Sequence, residues 1–181
     1  MNVKRILNSA FLRLFLVSLA ITIGYGTLSN SESMGMKNFA KDAVENAYVK
    51  FSTPEYQLHY YIQKYSEMYG VPKAMLYRVA RLETGYDGPE DSEYNPYQIS
   101  TAGAMGPMQV MATTADFVWG EQINRFRLLY DIEFNIHTSV RYIKNLKSQY
   151  GSWKTAFGFY HTGKPIIDSY AVYVATGRNE N

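Results

Sequence analysis

Apolar residues recur at helical spacing through most of the chain. Leu58, Tyr61, Ile62, Tyr65 and Tyr69 fall on one face, with Thr53 and Pro54 as cap and first-turn residues and Gly70 as the stop. Ile132, Ile136, Ser139, Ile143, Leu146 and Tyr150 repeat the pattern over the longest segment, opened by Asp131 and ended by Gly151. Trp153, Ala156, Phe157 and Tyr160 align on a short helix between Ser152 and Gly163. The same spacing predicts a first helix over 38–51, carrying Ala40, Val44, Ala47, Tyr48 and Phe51 on its apolar face. Another should open at Pro107, with Met108, Met111, Ala112 and Ala115 inward and Gly120 as its end. A last one should run from Pro165 to about Thr176. Residues 27–37 read as a linker and 121–130 as an irregular connection. No strand alternation is evident, so the pattern predicts a mainly α architecture: one helical domain over 38–181.

One segment breaks its own pattern. Pro72 opens a helix on which Leu76, Val79 and Ala80 mark the buried stripe, and the next position on that stripe is Glu83. Desolvation there disfavours the charged carboxylate and raises its pKa, which suits a general acid. Gly85 then stops the helix and releases about twenty residues, 86–105, rich in Gly, Pro, Asn, Asp and Ser. Loops of that length inside compact domains are usually functional or disordered.

Composition narrows the field. The 181 residues carry a net charge of +2, too small to argue for nucleic acid. Cysteine is absent, which excludes a disulfide framework and a cysteine zinc site. His59, His137 and His161 show no i, i+4 pairing, so neither a metal nor any other cofactor is expected. Seventeen tyrosines serve a packed core and a sugar-stacking surface equally well. Lys4 and Arg5 precede an apolar run over 14–24, interrupted just before it begins by Arg13. That run fits residues 1–26 as a signal peptide or, uncleaved, a membrane anchor over 11–28. Removing residues 1–26 leaves 15 basic against 16 acidic residues, a near-neutral domain.

Three ordered motifs then carry a resemblance. Residues 95–109 resemble the lytic transglycosylase signature Asn-Pro-x-Ala-x-Ser-x-x-Gly-Ala-x-Gly-Leu-Met-Gln of the soluble, goose-lysozyme-like type, the SLT domain. Asn95, Pro96, Ser100, Gly103, Ala104, Gly106, Met108 and Gln109 match it; Gln98 and Pro107 depart. Asn135, Ile136 and Tyr142 look like the family's long-helix motif, with Ser139 where Gly is usual. Residues 156–165 are similar to Ala-Leu-Ala-Ala-Tyr-Asn-Ala-Gly-x-Pro, matching at Tyr160, Gly163 and Pro165, with His161 replacing Asn and Thr162 replacing Ala.

The resemblance implies a lysozyme-like α+β fold with a long active-site loop, and cleavage of the β-1,4 bond between MurNAc and GlcNAc in peptidoglycan. The family works with one Glu, as acid and then base, closing the sugar's own 6-hydroxyl onto C1 to leave a 1,6-anhydroMurNAc end. Glu83 and Thr84 match the family's Glu-Ser pair at a helix end. Thr84, Ser100, Met108, Gln109, Tyr160 and His161 are the implied substrate contacts, with Tyr160 hydrogen-bonded to the catalytic carboxyl. Gly103 and Gly106 are read as points of close backbone approach to the sugar or to Glu83. Histidine at 161 can still donate a hydrogen bond but changes charge near neutral pH, so affinity should depend on pH. Asn95 comes twelve residues after Glu83, later than in the family, which implies an insertion of about eight residues and makes Asp91 the rival acid. Glu83 is preferred because it ends the amphipathic helix, whereas Asp91 stands in a polar loop between Glu90 and Glu93. Two other readings stay open: a muramidase that releases hydrated ends, and an inactive peptidoglycan-binding or assembly domain. The implied partners are glycan strands, with a cell-envelope machine or a phage particle as the setting. The implied location is exported: periplasmic, envelope-associated or virion-associated.

Overall fold

The computed structural model describes residues 30–178, and the expected signal peptide or anchor lies outside them. Two compact units divide the chain after Phe51. The first contributes α1, Asn30–Phe51. The expected linker is therefore helical from Asn30 onward, since extending an existing helix costs little. On the expected inward stripe of α1, Val44, Tyr48 and Phe51 are exposed.

The second unit holds seven helices among the described residues: α2 (Pro54–Tyr69), α3 (Lys73–Thr84), α4 (Ala112–Trp119), α5 (Arg125–Tyr130), α6 (Ile132–Tyr150), α7 (Trp153–Thr162) and α8 (Ser169–Thr176). No described helix is long and apolar enough to cross a membrane. The amphipathic stripes explain the packing. α6 is the central helix, packed against α2, α4, α5 and α7, while α8 lies against α7 and α3. Leu58 and Ile62 from α2, Leu76 and Val79 from α3, and Ile136, Val140 and Ile143 from α6 are fully enclosed. Burying such a side chain contributes about 1.5–3 kcal/mol each, so this shared core outweighs any single polar contact. Tyr65 of α2 stacks on His137 of α6 at 4.2 Å and donates its hydroxyl to Glu133, which also pairs with Lys64.

Three local expectations are corrected. The segment at Pro107 does not open a helix; α4 starts only at Ala112. Gly106 and Gln109 adopt positive φ of 74° and 48°, which a helix cannot accommodate. The connection 121–130 contains α5, capped by the Asn124 side chain and anchored by buried Leu128 and Leu129. α8 begins at Ser169 rather than Pro165, because Asp168 supplies the cap and residues before it run against α7. There Gly158 meets the Ile166 carbonyl so closely that a Cβ would stand 1.6 Å from its oxygen. Strand pairing is limited, among the described residues, to isolated bridges joining Ile99 to Met105 and Met105 to Val110.

Candidate active site

α3 carries Glu83 in its last turn and ends at Gly85, whose φ of 78° is the left-handed conformation of a helix cap. Leu76, Val79 and Ala80 hold one face of α3 fully inside, so Glu83, one turn further on, is drawn half into the protein. Burial raises its carboxyl pKa; a hydrogen bond from Tyr170 and the proximity of His161 offset part of that rise. The Tyr170 hydroxyl donates to Oε1 of Glu83 at 2.6 Å. Oε2 accepts no hydrogen bond among the described residues, and no described side-chain oxygen is sealed away without a partner. Oε2 therefore keeps contact with solvent. The two oxygens differ: one is held by a phenol, the other is open to solvent.

Tyr160 does not hold Glu83, contrary to expectation. Its hydroxyl donates to the Met108 carbonyl at 2.5 Å and stands 2.9 Å from Ser139 Oγ. A phenol has one proton, so the serine donates to the tyrosine. Ser139, where the family has Gly, thus completes an internal chain that anchors the loop. The Glu83 charge pushes the enclosed Tyr160 hydroxyl pKa up further, after burial itself. Tyr160 is a neighbour of Glu83 rather than its partner. Tyr170 lies beyond the third motif, one tyrosine among seventeen, and nothing in its local sequence marks it.

The remaining expected contacts divide into two groups. Thr84 Oγ1 reaches the carbonyls of Ala80 and Pro107 at 3.1 and 2.9 Å and the hydroxyl of Tyr94 at 3.0 Å. It ties the end of α3 to the loop. Ser100 Oγ accepts from the Ala104 amide at 3.0 Å and closes a turn. The Met108 side chain is 0% exposed, so it packs in the core and does not line a sugar surface. Gln109 is half-buried and directs its amide nitrogen to the carbonyls of Gly106 and Gln98. His161 is exposed at the end of α7; its Nδ1 meets Asp168 Oδ2 at 2.7 Å and its ring stacks on Tyr170 at 4.3 Å. Gln98, a departure from the signature, bonds the carbonyls of Thr84 and Asn95 and so sews the loop to α3.

Asn135 fixes the loop from below. Fully buried, it accepts from the Met108 amide at 3.1 Å and donates to the carbonyls of Met105 and Leu128 at 2.8 and 2.9 Å. The close approach expected at Gly106 is made to this side chain: an added Cβ would stand 2.4 Å from its amide nitrogen. Gly103 meets nothing within 4 Å and is needed for its φ of 87° alone. Asp91 sits in a turn between Gly88 and Tyr94, in a segment whose neck is formed by the rings of Tyr86 and Tyr94 at 5.2 Å. A cavity of about 310 Å³ flanks α3 at Tyr77, Arg78 and Arg81, positions that helical spacing puts opposite Glu83. Glu83 does not line it. No group of three or more metal-ligating side chains occurs among the described residues.

A buried-side glutamate ending a helix beside a sewn Gly-rich loop is what the three motifs led one to expect, and comparison with known proteins decides the family. The Transglycosylase SLT domain matches residues 60–180. The chain belongs to this family. Its similarity extends to the membrane-bound lytic murein transglycosylase C of Edwardsiella ictaluri, 33% identical over 96 residues. The proteins of the same name from Serratia proteamaculans and Sodalis glossinidius are 31% and 30% identical over 96 residues. In each case the match covers 49% of this chain and 24% of the relative, so the SLT domain chain spans about a quarter of those proteins.

Proposed function

We propose that this SLT domain cleaves peptidoglycan glycan strands as a lytic transglycosylase, with Glu83 as the single acid and base. The observation that carries the reading is the unequal pair of oxygens on Glu83: Oε1 held by Tyr170, Oε2 unbonded and open. Oε2 delivers its proton to the bridging oxygen as the C1–O bond of MurNAc breaks, and GlcNAc leaves with a hydroxyl. The muramoyl 6-hydroxyl then attacks C1, its proton returns to Oε2, and a 1,6-anhydro end forms without water. Atoms balance with one carboxyl, since the proton donated in the first half returns in the second. Tyr170 orients the carboxylate between the halves and stabilises its charge. The exposed edge of Gln109 is the expected substrate contact, and the site of action is the cell envelope.

Digestion of purified peptidoglycan followed by mass spectrometry tests this. Anhydro-ended fragments are expected from the wild type and Asp91→Asn, and none from Glu83→Gln. Hydrated reducing ends would make the chain a muramidase, and binding without cleavage an assembly module. Loss of activity in Asp91→Asn with retention in Glu83→Gln would move the acid to Asp91.

A further inference from the structure

Beyond the carboxyl and its phenol lies a second, outer pair. Asp168 uses both oxygens: Oδ1 accepts from the Ala171 amide at 2.8 Å and caps α8, while Oδ2 accepts from the Nδ1–H of His161 at 2.7 Å. The imidazole so fixed lies flat on the Tyr170 ring, 4.3 Å away and 10° from parallel. The order of contacts is therefore Asp168, His161, Tyr170, Glu83, running from the surface to the acid. Tyr170 has one soft torsion that would carry its hydroxyl off Oε1, rotation about its Cα–Cβ bond, and the stacked imidazole stands across its ring face. Burial alone would raise Asp168, but the Ala171 amide and the His161 ring outweigh it and hold its carboxyl below the usual range. Asp168 thus remains an acceptor wherever the acid works.

We propose that Asp168 and His161 act together as a positioning arm, which clamps the ring of Tyr170 and so keeps its hydroxyl on Oε1 of Glu83. The arm deepens the proposed function and rests on Glu83 being the acid. His161 here is a positioning residue acting through Tyr170, a different role from the sugar contact that the resemblance implies. The titratable groups facing the acid are Tyr170 from α8 and Tyr160 and His161 from α7; those facing His161 are Asp168, Tyr170 and Glu83.

Asp168→Asn isolates the arm, because Asn caps a helix as well as Asp does and α8 should persist. The sign of its effect is diagnostic. Deleting a negative charge would by itself only lower the pKa of another carboxyl. Loosening Tyr170 removes a hydrogen bond that lowers that pKa, and so raises it. Carbon-13 NMR titration of the Glu83 carboxyl is expected to show an upward move in Asp168→Asn and Tyr170→Phe. In kinetics on soluble glycan strands, Asp168→Asn and His161→Ala should each lower kcat about tenfold, the scale of misplacing a reacting group by a fraction of an ångström. KM should stay within about twofold, since binding is untouched. Adding His161→Ala to Tyr170→Phe should cost nothing more. Additive losses, a raised KM with unchanged kcat, or a downward move of Glu83 in Asp168→Asn would each overturn the arm. Should the wild type cleave no glycan, the proposed function falls, and the titrations alone then decide whether the arm exists.

Discussion

At the scale of single residues, the burial of Glu83 ties stability to pH. Burial lifts its carboxyl above the ordinary value of 4.5. Between 4.5 and that raised value the folded chain holds a proton which the unfolded chain has released. The sign follows: this group's contribution to stability is greatest below 4.5 and declines as pH rises through the folded pKa. Glu83→Gln cannot ionise and escapes that decline. Its melting temperature relative to wild type should rise with pH above 4.5 and then level off, as scanning calorimetry over a pH series would record. A flat difference across pH would mean that the carboxyl is solvated.

At the scale of elements, the joint between the loop and α6 rests on Asn135. Its amide satisfies one buried N–H and two buried carbonyls from Met105, Met108 and Leu128. Asn135→Ala leaves all three unmet, and at about 1–3 kcal/mol for a buried group left unpaired the loss should reach about 3 kcal/mol or more. Urea denaturation would read it as a lower midpoint, and Asn135→Asp should recover little because it lacks the donor. α2, α3, α6 and α7 were legible because each carries an apolar stripe several turns long, closed by Gly70, Gly85, Gly151 and Gly163. The segment after Pro107 was not. Its proline reads locally as a helix start, but the amide of Met108 goes to a residue 27 positions away. Tyr170 was hidden for the same reason: its bond to Glu83 spans 87 positions. Local pattern shows which side of an element is buried and says little about which hydroxyl will meet which carboxyl.

At the scale of the whole second unit, the candidate site lies where three independent pieces converge. α3 brings Glu83, α8 brings Tyr170, and the loop over 95–109 the sewn backbone, while α6 lies beneath through Asn135 and Ser139. Gly158→Ala tests whether this convergence is rigid. Its new methyl collides with backbone at Ile166, which cannot swing aside as a side chain would. Separation of α7 from the chain entering α8 should cost about 1–3 kcal/mol or more in stability, the range for overpacking. If kcat falls more steeply than the melting temperature warrants, the site depends on that contact.

The neck formed by Tyr86 and Tyr94 has a practical consequence. Both tyrosines are buried, at 4% and 8% exposure, and their rings meet edge to face, so the chain leaves and rejoins the body at nearly one point. What hangs beyond that point is a tether whose ends are already joined. Doubling the length of such a tether adds only about 0.6 kcal/mol of closure entropy. Residues 88–92 should therefore serve as a port for foreign sequence: a peptide tag or small binding module spliced there should leave the melting temperature within about 2 °C and Glu83 undisturbed. Thermal melts of the spliced chains, run beside Tyr94→Ala to open the neck, would show whether the rings alone confer that tolerance.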